Sequence, residues 1–337
     1  LKFGELIKIY KKLKKYDLDV HKTKRNFSSS LLERKFIYRK RPLNFKNKLV
    51  LRNIDVAINC KIENICMEKD SYCHVKNVKI FGKKIILSTG TLETIKIILK
   101  SVKKKSLKCN NKVLGRYFMN HPKITLKNFR LNKNINAKKF IEKKENKYLV
   151  SYIGLSLPKK IQMKYNLYNS YIKILKHEPK KFNLIRKIRY KLFNKKKFDL
   201  QLFCEMEPVY RNRVFLDIKE NLVVDYRLSK KDTDTLNTLA LFFKSYLTKD
   251  DHKKLKKNIN RKNFAHKLLD ASHHCGGTSY SHNKKNAFVD KNLRVIGEKN
   301  LYICSASVFP TSGSANPTAT IGALSFRLAN HLSKNEK

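Results

Sequence analysis

Two short apolar runs, one in the first third of the chain and one near its end, each stop at small residues and lead into a helical pattern. Lys84-Ile85-Ile86-Leu87-Ser88-Thr89-Gly90 predicts a buried strand ending in glycine, and Leu92, Ile95, Ile98 and Leu99 then recur at helical spacing over Thr91 to Ser101. Leu301 to Cys304 predicts a second strand, and Ser305 to Asn316, with Pro310, Gly313 and Ala315, a loop of small residues. Pro317 to Leu332 then reads as a helix with Ile321, Leu324, Leu328 and Leu332 on one face, Asn316 as its N-cap and Pro317 at its first position. Strand, small-residue turn and helix in that order is the half-unit of doubly wound sheets.

The sequence between them follows another rule. Lys48 to Asn59, Ile62 with Ile65, and Val75 to Phe81 read as short strands. Leu200 to Glu207 and Arg213 to Leu228 also read as strands, the second as a hairpin turning near Lys219 to Asn221, before a helix over Thr233 to Leu247. Strands without regular helix alternation point to an antiparallel sheet of α+β type. Residues 124–198 carry weak signals among many lysines and read as the periphery of that sheet. Leu6, Ile9, Tyr10 and Leu13 predict an amphipathic helix, while Ser28 to Ser30 and Arg39 to Pro42 read as irregular chain. The 337 residues suit two domains, a combination of α/β and α+β.

Charge is the most unusual bulk property. Lys+Arg is 77 against 26 Asp+Glu, a formal net charge of +51, which invites a nucleic-acid or polyanion-binding alternative. The basic residues are mostly Lys and are scattered from Lys11-Lys12 to Lys253-Lys254, whereas a nucleic-acid footprint needs a clustered patch or stripe. Abundant Lys, Asn and Ile with no Trp is the pattern of AT-rich codon usage, so the composition argues against nucleic acid as partner. No run approaches the ~18 apolar residues of a membrane span. Seven cysteines without a C-x-x-C pair argue against a disulfide scaffold or a zinc site, and no metal is expected. Most read as small buried hydrophobes, which leans towards a reducing, cytoplasmic compartment.

Two segments carry the chemistry: Ser272-His273-His274-Cys275-Gly276-Gly277-Thr278, and Val308 to Thr318 with its Asn316-Pro317-Thr318 corner. In these residues the sequence resembles the glucose–methanol–choline (GMC) flavoprotein oxidoreductases, which pair an H-x-x-G-[TG] element with a later N-P-T or H-P element. Val289 to Gly297, Asn300-Leu301-Tyr302, Ile86 to Thr94 and Gly115 to Pro122 are similar to further family elements in the same order. The resemblance spans residues 48–122 and 201–333. It implies a partial FAD-binding Rossmann-like domain from residues 46–122 and 263–337, an inserted antiparallel substrate domain at 123–262, and a helical or irregular segment at 1–45.

The implied reaction removes a hydride and a proton from an alcohol C–OH, of a sugar or small alcohol, with FAD as cofactor. The resemblance leaves the electron acceptor open among oxygen, a quinone and a cytochrome. A base near working pH must reach the hydroxyl, which favours His, and a second polar group orients the same oxygen. His273 matches the base and Asn316 the orienting group; His274 is the alternative base, because the doublet fits the motif in two frames. FAD contacts are implied at Ile62, Thr89, Gly90, Ser305, Ala306, Pro317 and Thr318. Ser305 stands where relatives commonly have Asp, and Ser279-Tyr280 where they often have Arg-Met. Cys275 lacks an acid partner that would make it a nucleophile, and His121 reads as a packing or hydrogen-bonding residue.

The flavin-pyrophosphate fingerprint G-x-G-x-x-G is missing from the sequence, which has 10 glycines and one adjacent pair, Gly276-Gly277. With Leu rather than Met at the first position, the chain reads as a fragment of such an enzyme, expected to bind flavin weakly or not at all and to be inactive alone. A non-catalytic remnant that requires a partner is the other reading.

Overall fold

A computed structural model describes residues 31–39, 54–68, 70–147, 149–177, 197–258 and 268–334. The chain divides into two compact units, residues 1–56, 123–203 and 234–268 forming one and residues 57–122, 204–233 and 269–337 the other.

The first unit is built on an antiparallel sheet. Its strands are β1 (Leu32–Arg39), β6 (Lys123–Arg130), β7 (Lys143–Lys144), β8 (Leu149–Ser156), β9 (Ser170–Lys176), β10 (Lys197–Cys204) and β13 (Leu268–Leu269), in the order β1-β8-β9-β10-β6-β13, with β7 also paired to β8. Over 32–39, strand β1 replaces the helical or irregular chain expected at 1–45. It pairs antiparallel with β8 from Leu32↔Ser156 to Arg39↔Leu149, and Phe36 stacks on Tyr152 at 5.1 Å. Its strand state is set by a partner more than a hundred positions away, which local periodicity does not report. The stretch 124–198, expected at the periphery, supplies inner strands of the sheet: Ile124, Leu126 and Phe129 of β6 are buried despite Lys123 and Lys127 beside them. The helix expected around Leu6 to Leu13 and the irregular Ser28 to Ser30 lie outside the described residues. Helices α2 (Lys159–Lys164), α3 (Lys230–Phe242, which begins in the second unit) and α4 (Lys249–Asn258) complete the elements between β8 and β13.

The second unit holds the three-stranded meander β2 (Asn64–Met67), β3 (Ser71–Val75) and β4 (Val78–Phe81), the hairpin β11 (Arg213–Leu216) and β12 (Leu222–Asp225), and a parallel pair. That pair is β5 (Ile85–Leu87) with β14 (Leu301–Ile303), in register Leu301↔Ile85 to Ile303↔Leu87. Helix α1 (Thr91–Lys103) follows β5 and α5 (Thr318–Lys334) follows the loop after β14, so both expected strand–loop–helix pieces form and their strands lie side by side. Of the strand expected at Lys48 to Asn59, the described part, 54–59, is exposed and unpaired by any strand.

One core joins Ile65, Leu87, Ile98, Met206, Phe288, Val295, Ile303 and Leu328. Residues 204–233, which the sequence assigned to the inserted domain, fold with this unit, because Val214 of β11 packs with Ile95 of α1 and with Phe118. Among the described residues no helix is long and apolar enough to cross a membrane.

Candidate active site

The expected site residues lie in the second unit, and the His273-His274 doublet sits on a backbone segment that runs beside residues 115–121. Met119 and Cys275 form an antiparallel bridge, each N–H donating to the other's carbonyl at 2.8 Å, and the Gly115 N–H donates to the Gly277 carbonyl at 2.7 Å. In that register residue 121 falls opposite residue 273, so the pairing brings His121 and His273 together.

The adjacent glycines make so close an approach possible. Gly276 and Gly277 have φ of 78° and 93°. A Cβ on Gly276 would lie 2.2 Å from the Tyr117 carbonyl oxygen, and one on Gly277 would lie 2.4 Å from Ile95 Cδ1. No other residue type fits either demand, a left-handed backbone and a missing side chain.

The imidazoles of His121 and His273 meet Nδ1 to Nδ1 at 3.0 Å, nearly edge-on at 78° with ring centroids 4.9 Å apart. His121 Nε2 lies 3.3 Å from the Ser312 carbonyl oxygen. Asn120 Oδ1 accepts from the His121 amide at 2.8 Å and the His273 amide at 3.3 Å, while Asn120 Nδ2 donates to Asp270 Oδ1 at 2.8 Å. Burial, with the neighbouring His273 ring second, pushes the His121 pKa down to about 4, against the opposing carbonyls of Ser312 and Gly313. His121 is therefore neutral at pH 7.

His274 turns to other partners. Its Nε2 is 3.5 Å from Asp270 Oδ1, its carbonyl accepts from Thr91 Oγ1 at 2.6 Å, and its ring lies 5.7 Å from the Phe118 ring, tilted by 33°. Burial opposes the charge of Asp270. The Ser272 amide, the Asn120 side chain, the His274 ring and the Ser272 hydroxyl together hold its pKa below the ordinary value. Cys275 is buried, and burial pushes its thiol up to about 12, so it stays protonated and is no nucleophile at neutral pH.

The remaining expected residues divide between open and buried ground. Asn316 is exposed, four positions beyond Ser312. The first backbone bond of α5 runs from the Ile321 N–H to the Pro317 carbonyl at 3.0 Å, so Pro317, rather than Asn316, sits at the capping position. Thr318 is exposed and Pro317 partly so. Ser305 and Ala306 are buried at the end of β14, where the Ser305 hydroxyl bonds the Ser307 hydroxyl at 2.6 Å and caps the short 3-10 turn Ala306–Val308. Thr89 and Gly90 are exposed beyond β5, and Ile62 is half-buried against the core.

For a flavin nucleotide, the residues present fit through backbone at the end of β5. Gly90 has φ of 77°, an added Cβ there would meet nothing within 4 Å, and α1 starts with no side-chain cap. That leaves its first N–H groups open to a polar or anionic group. The buried Ser305 hydroxyl is already engaged, so Ser305 and Ala306 fit as backbone wall. Among the described residues no group of three His, Cys, Asp or Glu side chains is arranged to hold a metal.

The sequence motifs passed over Asp270. Asn120 and His121 were visible only within the Gly115 to Pro122 element, and the partner of His121 was not, because it is supplied by the pairing of distant segments.

The histidine pair, linked through Asn120 to the Asp270 carboxylate, thus lies beside the loop that leads to the Asn-Pro-Thr corner. Residues 208–325, which include His273, His274 and Asn316 but not His121, match the family model described as GMC oxidoreductase. That segment is similar to the C-terminal domain of the GMC oxidoreductases. No curated protein matches the sequence. Among solved structures the chain is similar in fold to pyridoxine 4-oxidase from Mesorbium loti, at 13% identity with a TM-score of 0.50. That match covers 80% of this chain and 56% of the other, so the chain spans little over half the length of that structure.

Proposed function

We propose that this chain is the part of an FAD-dependent alcohol oxidoreductase, dehydrogenase or oxidase, that supplies the catalytic base and one wall of the flavin site. The observation that carries the reading is the convergence of His273 and the Ser312 loop on His121. That convergence supports a base near the loop that continues to Asn316.

Bound FAD would supply the hydride acceptor. The backbone at Thr89 and Gly90, the wall at Ser305 and Ala306, the α5 entry at Pro317 and Thr318, and Ile62 would hold it. His273 accepts the proton of the substrate hydroxyl, a task worth about 10²–10⁴-fold in rate. Asn316 hydrogen-bonds the same oxygen and orients the carbon–hydrogen bond that breaks, so the C–OH group becomes C=O by losing one hydride and one proton. His274, engaged with Asp270, supports the segment rather than the chemistry. Residues 46–122 and 263–337, with 204–233 folded against them, form the flavin-facing portion in this reading, and 123–203 with 234–262 the substrate domain.

The flavin-loaded enzyme carrying His273→Ala should lose alcohol-driven bleaching of the flavin absorbance by about 100-fold or more, while His274→Ala keeps most of it. Bleaching that survives His273→Ala and disappears in His274→Ala reverses the roles of the doublet.

A further inference from the structure

We infer that His121 is a positioning residue that fixes the tautomer of His273 and so decides which of its ring nitrogens is basic. The Ser312 carbonyl is an acceptor only, so His121 Nε2 at 3.3 Å from it carries the proton. A neutral imidazole has one N–H, which leaves His121 Nδ1 as its acceptor atom. The facing His273 Nδ1, 3.0 Å away, must then be the donor. His273 is thereby held with its proton on Nδ1, and its basic lone pair is on Nε2, the nitrogen at the far side of the ring from His121. The order is Ser312 carbonyl, His121, His273, and each link has a single polarity.

The desolvation of His121 keeps this order intact at neutral pH. Were His121 protonated, it would carry N–H groups on both nitrogens and turn one of them on the His273 N–H. The amide bonds from His121 and His273 to Asn120 Oδ1 fix both backbones, so neither ring is placed by its partner alone. A carboxylate commonly orients a base by accepting from it; here a neutral imidazole, itself oriented by a carbonyl, does so. The tautomer is a property of the protein without substrate or flavin. Its use in catalysis rests on the alcohol-oxidation reading above.

Histidine-selective ¹⁵N-labelled protein tests this by NMR, through the shifts that distinguish protonated from unprotonated ring nitrogens. At pH 7 the wild-type protein should show His121 protonated on Nε2 and His273 on Nδ1. His121→Asn can offer its amide oxygen where Nδ1 stood, and should keep the His273 tautomer. His121→Gln places its amide near the Nε2 position and should release His273 to a mixture of tautomers. In the flavin-loaded enzyme, His121→Gln should lower kcat by about 100-fold at little changed KM, with His121→Asn restoring most of the loss. A wild-type His273 protonated on Nε2 overturns the inference whether or not either variant folds, and so does a tautomer that His121→Gln leaves unchanged. If the tautomers are as stated and kcat is indifferent to them, the inference stands and the assignment of His273 as base falls.

Discussion

The two strand–loop–helix pieces of the second unit look alike in sequence and bury opposite parts. After β5 the loop Ser88-Thr89-Gly90 is exposed and the helix is sunk, with Thr91, Thr94, Ile95, Ile97, Ile98 and Ser101 of α1 buried. After β14 the loop is sunk from Ser305 to Phe309 and again at Ser312, whereas Leu328 is the one residue of α5 fully withdrawn from solvent among those described. A common local pattern thus leaves the backbone accessible at the first loop and at the entry to the second helix. Stability is carried by α1 and by the loop after β14, and those two can be tested against the open elements.

The largest effect should come from α1. Ile98 is fully buried in the main core, so Ile98→Ala should cost about 2–5 kcal/mol through lost transfer free energy and an unfilled cavity. Leu324 of α5 is only partly buried against the same core, and Leu324→Ala should cost about 1 kcal/mol. Urea denaturation of both variants measures the contrast. Equal losses would mean that α5 is covered as deeply as α1 and would remove the difference between the two pieces.

A smaller loss should follow from the buried loop. The Ser307 hydroxyl accepts from Thr278 Oγ1 and pairs with Ser305 Oγ, each at 2.6 Å, entirely out of solvent. Ser307→Ala strips both hydroxyls of a partner and should destabilise by about 1–3 kcal/mol. The exposed Ser325→Ala on α5 should stay within about 0.5 kcal/mol of wild type. A neutral Ser307→Ala would show that the loop is held by its apolar members, Val308 and Phe309, alone.

What could be read from the sequence follows the range of the forces involved. The strands before Ser88 and Ser305 and the helices after them are written in local apolar periodicity, and the hairpin around Lys219 to Asn221 in alternation about a polar turn. Strand β1 is not, since Phe36 finds Tyr152 and Tyr171 only once the chain has folded back. Strand β6 within 124–198 was hidden by Lys123 and Lys127 beside its buried positions. At the site, the His273-His274 doublet and the Asn-Pro-Thr corner stood out as motifs. Of the partners that give the two histidines different settings, Asp270 lies four residues before His274, whereas His121 reaches His273 only through the Met119–Cys275 register. That register needs the two glycines, which the sequence displayed without showing what they approach.

The last contrast is one of pH. His121 anchors the buried loop through the Ser312 carbonyl, and Ser312 Oγ in turn accepts from the Met206 amide at 3.0 Å. Its pKa in the folded chain, about 4, lies below the ordinary histidine value of 6.5, so the unfolded state binds the proton more readily. The stabilisation is complete above about pH 6.5 and is lost as the pH falls towards 4, with a slope of at most about 1.4 kcal/mol per pH unit from this group. His273, which it touches, and the neighbouring pair Asp270 and His274 are titratable groups close to it. Asp270, held below the ordinary aspartate value, keeps its charge through most of that interval. Between pH 6.5 and 4.5 the wild-type protein should therefore lose more stability than His121→Asn, measured as the difference in their urea midpoints. Amide exchange at Met206 should quicken over the same interval while that of Ile98 in α1 holds, because acid releases the loop and leaves the helix core untouched. Parallel pH profiles for the two proteins would mean that His121 is not the titrating anchor, and equal quickening at Ile98 would mean that the loop and α1 yield as one element.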